Sequence, residues 1–406
     1  MTDNVIILGA GASVDAGIPV MANFVEKMWE FAVTGKHNGQ ALSEEDKQIF
    51  MEAIKVKNEL DGYHGRAAFN DRNLEDILSI LSFNLIGGND TDREKLNWFI
   101  KAITRTIELT CTVKHNGDLN KIQLDGSEVY RQFWDHIFRV FNKSLSSFPA
   151  FISFNYDLVL ERSLLQCLIG TKYTGLENNR FPADGIKIRY SYKYAQESAY
   201  KTKYVTYQKM GYTISTEYGM SLEKTKSEDL KEPLEIELLK LHGSLNFPKS
   251  NSQEFSLTKV AADSHILPPI INKWAGENEE EMWGVGLQRL REAKNIIIIG
   301  YSLPQTDIYM QYFLRAGIGP NVNLNKIIVY NPVLFKSTSE NDAMKTRFAS
   351  CFSPQLQSRI EFNPRTEIYH DPYDGNQVTF DKNLAGTLRH FIFSMDNDKD
   401  LFFGNK

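Results

Sequence analysis

Four apolar residues, Val5-Ile6-Ile7-Leu8, run directly into Gly9-Ala10-Gly11-Ala12-Ser13, and Gly17-Ile18-Pro19 follows close behind. An apolar run of that length, cut off at once by glycines, reads as a buried parallel strand turning into a helix. It constrains this end of the chain to an α/β arrangement. Glycines at such a turn let the backbone approach a pyrophosphate, and the N–H groups of the helix start favour its negative charge. The dinucleotide fingerprint has a third glycine three residues after the second, and Val14 stands there instead. Read alone, the loop is as much a tight strand-to-helix turn as a nucleotide cradle.

The same signature recurs along the chain. Ala150-Phe151-Ile152-Ser153-Phe154 reads as a strand ending at Asn155-Tyr156-Asp157, with a helix following through Leu158, Leu160 and Leu164. Residues 236–241 end at His242-Gly243-Ser244, residues 295–299 at Gly300-Tyr301-Ser302, and residues 326–330 at Asn331-Pro332. Alternating strands and helices predict an α/β fold, a Rossmann-like parallel sheet flanked by helices. In open sheets of that kind ligands sit outside the carboxyl ends of the strands. The polar residues at those ends therefore form one candidate site: the Gly9–Ser13 loop, Asn155, Asp157, His242, Gly300, Tyr301, Ser302 and Asn331. His242 is the one histidine of eight at a strand end before a glycine, and histidine is the natural general base near neutral pH. The alternative is a structural hydrogen-bonding histidine. Asp157 has two readings as well, a ligand contact or a cap for the helix it precedes.

Two insertions interrupt this frame. Residues 40–147 read as mostly helical, starting at Ser43-Glu44-Glu45-Asp46. Apolar stripes run through Leu74, Ile77, Leu78 and Leu81, through Leu96, Phe99, Ile100, Ile103 and Ile107, and through Phe133, Ile137, Phe138 and Phe141. Residues 175–232 read as a smaller, Tyr/Lys-rich β insertion. Its residues 186–226 hold eight of the eighteen tyrosines and eight Lys/Arg against three Glu. Alternation through Lys187-Ile188-Arg189-Tyr190-Ser191-Tyr192-Lys193-Tyr194 predicts strands with one solvated face. A basic aromatic ribbon could stack on nucleic acid, but the small charge excess favours packing on a neighbouring subunit or on its own core. Residues 336–406 form an α/β extension whose last dozen residues are polar.

Composition narrows the function classes. A net charge of −5 gives no global pull toward nucleic acid or anionic membrane. Cys111, Cys167 and Cys351 are too few and too far apart for a Cys-x-x-Cys zinc site and fit a reducing, cytoplasmic compartment. No secretory signal and no membrane span are expected.

The ordered motifs resemble those of the sirtuin family. Gly9-Ala10-Gly11-Ala12-Ser13 with Gly17-Ile18-Pro19 is similar to the sirtuin NAD-binding loop, and Asn155-Tyr156-Asp157 to its Asn-x-Asp motif. Leu241-His242-Gly243 resembles the catalytic His-Gly, Gly300-Tyr301-Ser302 the ribose and phosphate loop, and Asn331 the residue near the adenosine ribose. The resemblance covers residues 4–34, 150–170 and 236–335, which makes residues 1–335 the expected NAD-binding catalytic domain. The Asn-Tyr-Asp version with a long helical insertion is closer to the sirtuin-like proteins of bacterial antiphage defence than to protein deacylases.

Departures from the deacylase pattern sharpen this. The four-cysteine zinc module is missing, so no metal is expected, and Val20-Met21-Ala22 stands where deacylases carry Asp-Phe-Arg. The resemblance implies NAD⁺ as substrate and hydrolysis of the nicotinamide–ribose bond, which depletes NAD during phage infection. It gives Asn155 the ribose or the attacking water, His242 a proton to accept, and Asp157 the nicotinamide carboxamide or nearby backbone. Ser13 with the loop N–H groups would take the diphosphate, Ser302 a phosphate or ribose, and Asn331 the adenosine ribose. It further implies a homo-oligomer, with a HerA-type ATPase or an Argonaute-like protein as partner. A deacylase or ADP-ribosyltransferase, and a non-catalytic NAD or ADP-ribose sensor, are the alternatives.

Overall fold

The computed structural model describes residues 3–62, 70, 72–115, 122–124, 129–141, 148–169, 185–195, 197–208, 216–267, 277–305, 307–336, 338–363, 369–370, 377–378 and 388–397. Its frame is a nine-stranded sheet. In chain order the strands are β1 (Asn4–Leu8), β2 (Ala150–Ser153), β3 (Gly185–Arg189), β4 (Glu197–Gln208), β5 (Thr216–Thr225), β6 (Leu234–Lys240), β7 (Asn295–Ile299), β8 (Lys326–Tyr330) and β9 (Ile360–Phe362). Their spatial order is β9-β8-β7-β1-β2-β6-β3-β4-β5. The seven strands from β9 to β3 are parallel, and β4 and β5 add an antiparallel hairpin at the far edge. The fold is thus α/β and Rossmann-like, as the alternating apolar runs predict.

Burial explains those runs. Every residue of β1, β2 and β7 is buried, because helices cover both faces of a parallel sheet and leave no solvated side to alternate toward. From β1 the chain moves outward through β2 and β6, then returns to the other side of β1 at β7. The carboxyl ends of β1 and β7 therefore flank the switch point of the sheet, where α/β proteins open a crevice.

The α-helices longer than one turn are α1 (Met21–Thr34), α2 (Glu44–Asp61), α3 (Leu74–Asn84), α4 (Asp90–Thr110), α5 (Val129–Phe141), α6 (Val159–Leu168), α7 (Glu277–Glu292), α8 (Ile308–Ile318), α9 (Thr338–Ser350) and α10 (Leu388–Asn397). Helices α1 to α4 pack on one another. Helix α5 lies on the sheet: the rings of Phe133 and Trp134 sit 6.2 and 5.0 Å from Phe151 of β2, and Phe391 of α10 covers Phe133 at 5.8 Å. The C-terminal extension supplies both α10 and the edge strand β9. The polar last dozen residues lie outside the described residues, apart from the end of α10.

The tyrosine-rich segment joins the main sheet through β3, which pairs with β6. Its strand stops at Arg189, short of the alternation read through Tyr194, and Ser191 takes a left-handed conformation (φ 52°). That turn sends Tyr190 and Tyr192 into the protein. Tyr192 stacks on Phe247 (4.3 Å, 6°) and its hydroxyl donates to the Pro248 carbonyl, while Tyr190 meets Phe247 edge-on. These tyrosines build the chain's own core and leave no ring face for a base.

Ser43 caps α2 as predicted, accepting from the Asp46 N–H, and Arg105 of α4 clamps the Asp46 carboxylate with two hydrogen bonds of 2.5 and 2.9 Å. Burial pushes the Asp46 carboxyl up, but the hydrogen bonds from Arg105 and Ser43 and the Arg105 charge outweigh it and hold the group below its usual 3.8. A carboxylate depressed in the folded state stabilises fully above its unfolded pKa and loses that contribution as pH falls through the folded value. The α2–α4 pair should thus hold at neutral pH and weaken only below about pH 4. Arg105→Ala should move the acid unfolding midpoint upward in a circular-dichroism titration; an unchanged midpoint would refute the assignment.

Candidate active site

All five sequence-derived segments lie at the carboxyl ends of five adjacent parallel strands, in the order β8, β7, β1, β2, β6. After β1 the chain enters a 3-10 helix, Ala10–Ala16, closed by Gly17 in a left-handed conformation (φ 81°); Ile18 is buried and Pro19 half-buried before α1 begins. The loops after β1 and β7 cross backbone to backbone. Gly9 donates its N–H to the Ile299 carbonyl (3.0 Å) and Gly11 to the Gly300 carbonyl (2.9 Å), while the Ala12 N–H returns to Gly9 (2.9 Å). A Cβ on Gly11 would lie 2.8 Å from the Gly300 Cα. The N–H groups of Gly9, Gly11 and Ala12 are therefore engaged within the crossing, and Ala10 is the exposed residue of the loop. Val14, where the common fingerprint has glycine, is 43% exposed. The third glycine serves close helix–strand packing, and an outward-facing position has no need of it.

The loop after β2 is stitched to this crossing. Asn155 donates from Nδ2 to the Gly9 carbonyl and to Ser13 Oγ, both at 2.9 Å. The Ser13 hydroxyl donates in turn to Asp157 Oδ2 (2.7 Å), and Asp157 Oδ1 accepts from the Val159 N–H (3.0 Å). The Gly9 carbonyl fixes the Asn155 amide orientation, since a flipped amide would set two acceptors against each other. With both amide hydrogens engaged, what half-exposed Asn155 offers a ligand is its carbonyl oxygen, an acceptor for a hydroxyl or a water. Asp157 is buried and spends both oxygens inside, on Ser13 and on the start of α6. Behind the loop the Tyr130 hydroxyl donates to the Ala12 carbonyl and accepts from the Ala16 N–H, both at 2.9 Å. A cavity of about 10 Å³ lies among Ser13, Tyr130, Asn155 and Asp157, about the smallest that admits one water.

His242 follows β6. It is 7% exposed, with its ring 4.9 Å from Phe154 and 6.5 Å from Tyr156. Phe154 also meets Tyr301 at 5.0 Å, so one ring joins the histidine to the loop after β7. The Tyr301 hydroxyl donates to Asp307 (2.6 Å), and burial with that neighbouring carboxylate pushes its pKa well up, so it stays protonated. Ser302 is half-buried, and its carbonyl accepts from Arg347 (3.2 Å). Asn331 stands apart from the others: its Oδ1 accepts the Val333 N–H (3.0 Å), capping its own turn, and its backbone pairs with Asn363. The structure thus brings the Gly9–Ser13 loop, Asn155, Asp157 and Gly300 into direct contact, and connects His242 and Tyr301 to them through Phe154.

Beneath these loops lies a charged pair. Lys240, the last residue of β6, donates to the Asp157 carbonyl and to Glu161 Oε1 (3.1 Å), which also accepts from Tyr190 (3.3 Å). Lys240 and Glu161 are 1% and 0% exposed by side chain. Burial pushes the Glu161 carboxyl up, countered by Lys240. A lone lysine inside the apolar run 236–241 is the one sequence signal for this pair; Tyr130 and Arg347 carry none. Among the described residues no group of three His, Cys, Asp or Glu side chains is placed to hold a metal ion, and no helix is long and apolar enough to cross a membrane.

No protein-family model matches the chain, and no curated protein sequence does. Among solved structures, the chain is similar to a mutant Sir2 homologue in complex with ADP-ribose, at 9% identity over 86% of this chain and 91% of that one, with a TM-score of 0.25.

Proposed function

We propose that this protein is a sirtuin-like NAD⁺ hydrolase that releases nicotinamide and ADP-ribose. The observation that carries the reading is the convergence of five sirtuin-like segments on one sheet edge, with Asn155 hydrogen-bonded to the glycine loop. One feature supports an NAD fit: half-exposed Asn155, its amide hydrogens held by Gly9 and Ser13, keeps an acceptor oxygen free of hydrogen bonds among the described residues.

In this reading the C1′–N bond breaks with its electron pair going to the nicotinamide nitrogen, which leaves neutral. Asn155 Oδ1 holds the ribose hydroxyls or the water. The water oxygen bonds to C1′ and its proton passes to His242. Asp157 acts from behind, through Ser13, to hold Asn155 in place. On the resemblance alone, we place the activity in the cytoplasm in antiphage defence, in a homo-oligomer held in check by a partner such as a HerA-type ATPase or an Argonaute-like protein.

Incubation of the pure protein with NAD⁺ should release nicotinamide, and Asn155→Ala and His242→Ala should each lower the rate by at least about 100-fold with unchanged circular dichroism. Turnover that requires an acyl-lysine peptide or a protein acceptor would move the assignment to a deacylase or transferase. Tight NAD⁺ binding without any product would make the chain a sensor.

A further inference from the structure

A groove of about 540 Å³ opens between α8 and α9, beside the loop that carries Ser302. Gln305, Gln311, Thr346, Arg347 and Ser350 give it a polar lining, with Ile308 as its largest apolar residue. The volume is that of a small-ligand site. Arg347 brings the lining its one formal charge, and no carboxylate shares the lining among the described residues. Its Nη2 is held by the Ser302 carbonyl, but its Nε is buried with no hydrogen-bond partner among the described residues. With Nη2 on Ser302 and Nε shielded from solvent, Nη1 is the guanidinium donor left for a phosphate, which the fixed positive charge favours. Arg315 adds a second positive charge at Ser350, donating to its carbonyl (3.1 Å). Two primary amides and two hydroxyls can serve the uncharged part of a ligand.

We infer that this groove binds a phosphate-bearing small molecule of nucleotide size, with its phosphate on Arg347. The same guanidinium holds Ser302, so occupancy of the groove is transmitted to the Gly300–Ser302 loop and changes the affinity for NAD⁺. The binding stands on the groove alone; the transmission rests on the NAD⁺ reading proposed above.

Calorimetric titration of the full chain tests the binding with three probes: inorganic pyrophosphate, AMP and adenosine. Pyrophosphate and AMP should bind saturably, and adenosine should not. Thr346→Glu and Gln311→Glu, both at solvent-accessible positions on helices, should each weaken the phosphate probes by about tenfold or more through like-charge repulsion. No saturable heat from either phosphate probe, or equal affinity in wild type and both variants, overturns the inference. His242→Ala protein saturated with NAD⁺ should still bind pyrophosphate saturably, its affinity shifted by about the same fivefold factor as linkage requires; competitive displacement by NAD⁺ would make the groove part of the other site and overturn the inference as well. Phosphate binding in a chain that never releases nicotinamide supports the groove while counting against the hydrolase. In an active chain, pyrophosphate should shift the KM for NAD⁺ by about fivefold, and an equal shift in Thr346→Glu refutes the transmission.

Discussion

Gly300→Ala is expected to destabilise the fold by about 3–5 kcal/mol and to abolish whatever the crossing of the two loops serves. Gly300 sits at φ 67°, where an L side chain already costs about 1–2 kcal/mol. Its Cβ would lie 2.3 Å from the Ala12 nitrogen and 2.5 Å from the Gly11 carbonyl carbon. Those are backbone atoms, so no side chain can swing aside; the loops after β1 and β7 would have to part, breaking the bond from Gly11 N–H to the Gly300 carbonyl. Gly284 on α7 is the control, since among the described residues nothing beyond its own helix backbone lies within 4 Å of its Cβ position. Gly284→Ala should raise stability by about 0.5–1 kcal/mol through helix propensity. Urea unfolding of the three proteins decides it. A Gly300→Ala protein as stable as wild type would mean that the two loops do not meet as described.

The inner strands were legible because burial on both faces leaves an unbroken apolar run, and the polar residue after each run marks its carboxyl end. That is why β1, β2, β6, β7 and β8, and with them Gly9, Asn155, His242, Gly300 and Asn331, could be placed on one sheet edge. What the side chains touch there was only partly legible. Asp157 gives one oxygen to the start of its helix, as its cap reading allows, and Asn331 before a proline caps its own turn; nothing local sends the other Asp157 oxygen to Ser13, 2.7 Å away. The edge strands were harder. Residues 360–362 are only half-buried and too short to show a period, and they form β9 by pairing with β8. In the tyrosine-rich segment, local alternation predicts a strand through Tyr194, but Ser191 turns the chain so that Tyr190 and Tyr192 can pack on Phe247. Long-range packing decides that turn, and alternation carries no trace of it.

Lys240→Met is expected to cost about 3–5 kcal/mol, since it strands a buried carboxylate. Lys240 is the cation facing Glu161, and Glu161 Oε2 already has no hydrogen-bond partner among the described residues. Adding Glu161→Leu should recover most of the loss, because an apolar pair of similar volume avoids the desolvation that the ion pair must offset. The deficit of the single variant should also depend on pH. Burial pushes the Glu161 carboxyl above its usual 4.5, and Lys240 is what counters it. Without the lysine, folded Glu161 takes up a proton that the unfolded chain releases near neutral pH. A carboxyl raised in the folded state favours folding as pH falls, so Lys240→Met should be least stable above neutrality and approach the double variant toward pH 5. Equal stability of the single and double variants at every pH would refute the buried pair. The double variant still lacks the bond from Lys240 to the Asp157 carbonyl, which joins the strand ahead of His242 to the loop that follows Asn155. If that bond positions the site, the double variant should be stable yet slow, with kcat for NAD⁺ reduced more than KM is raised.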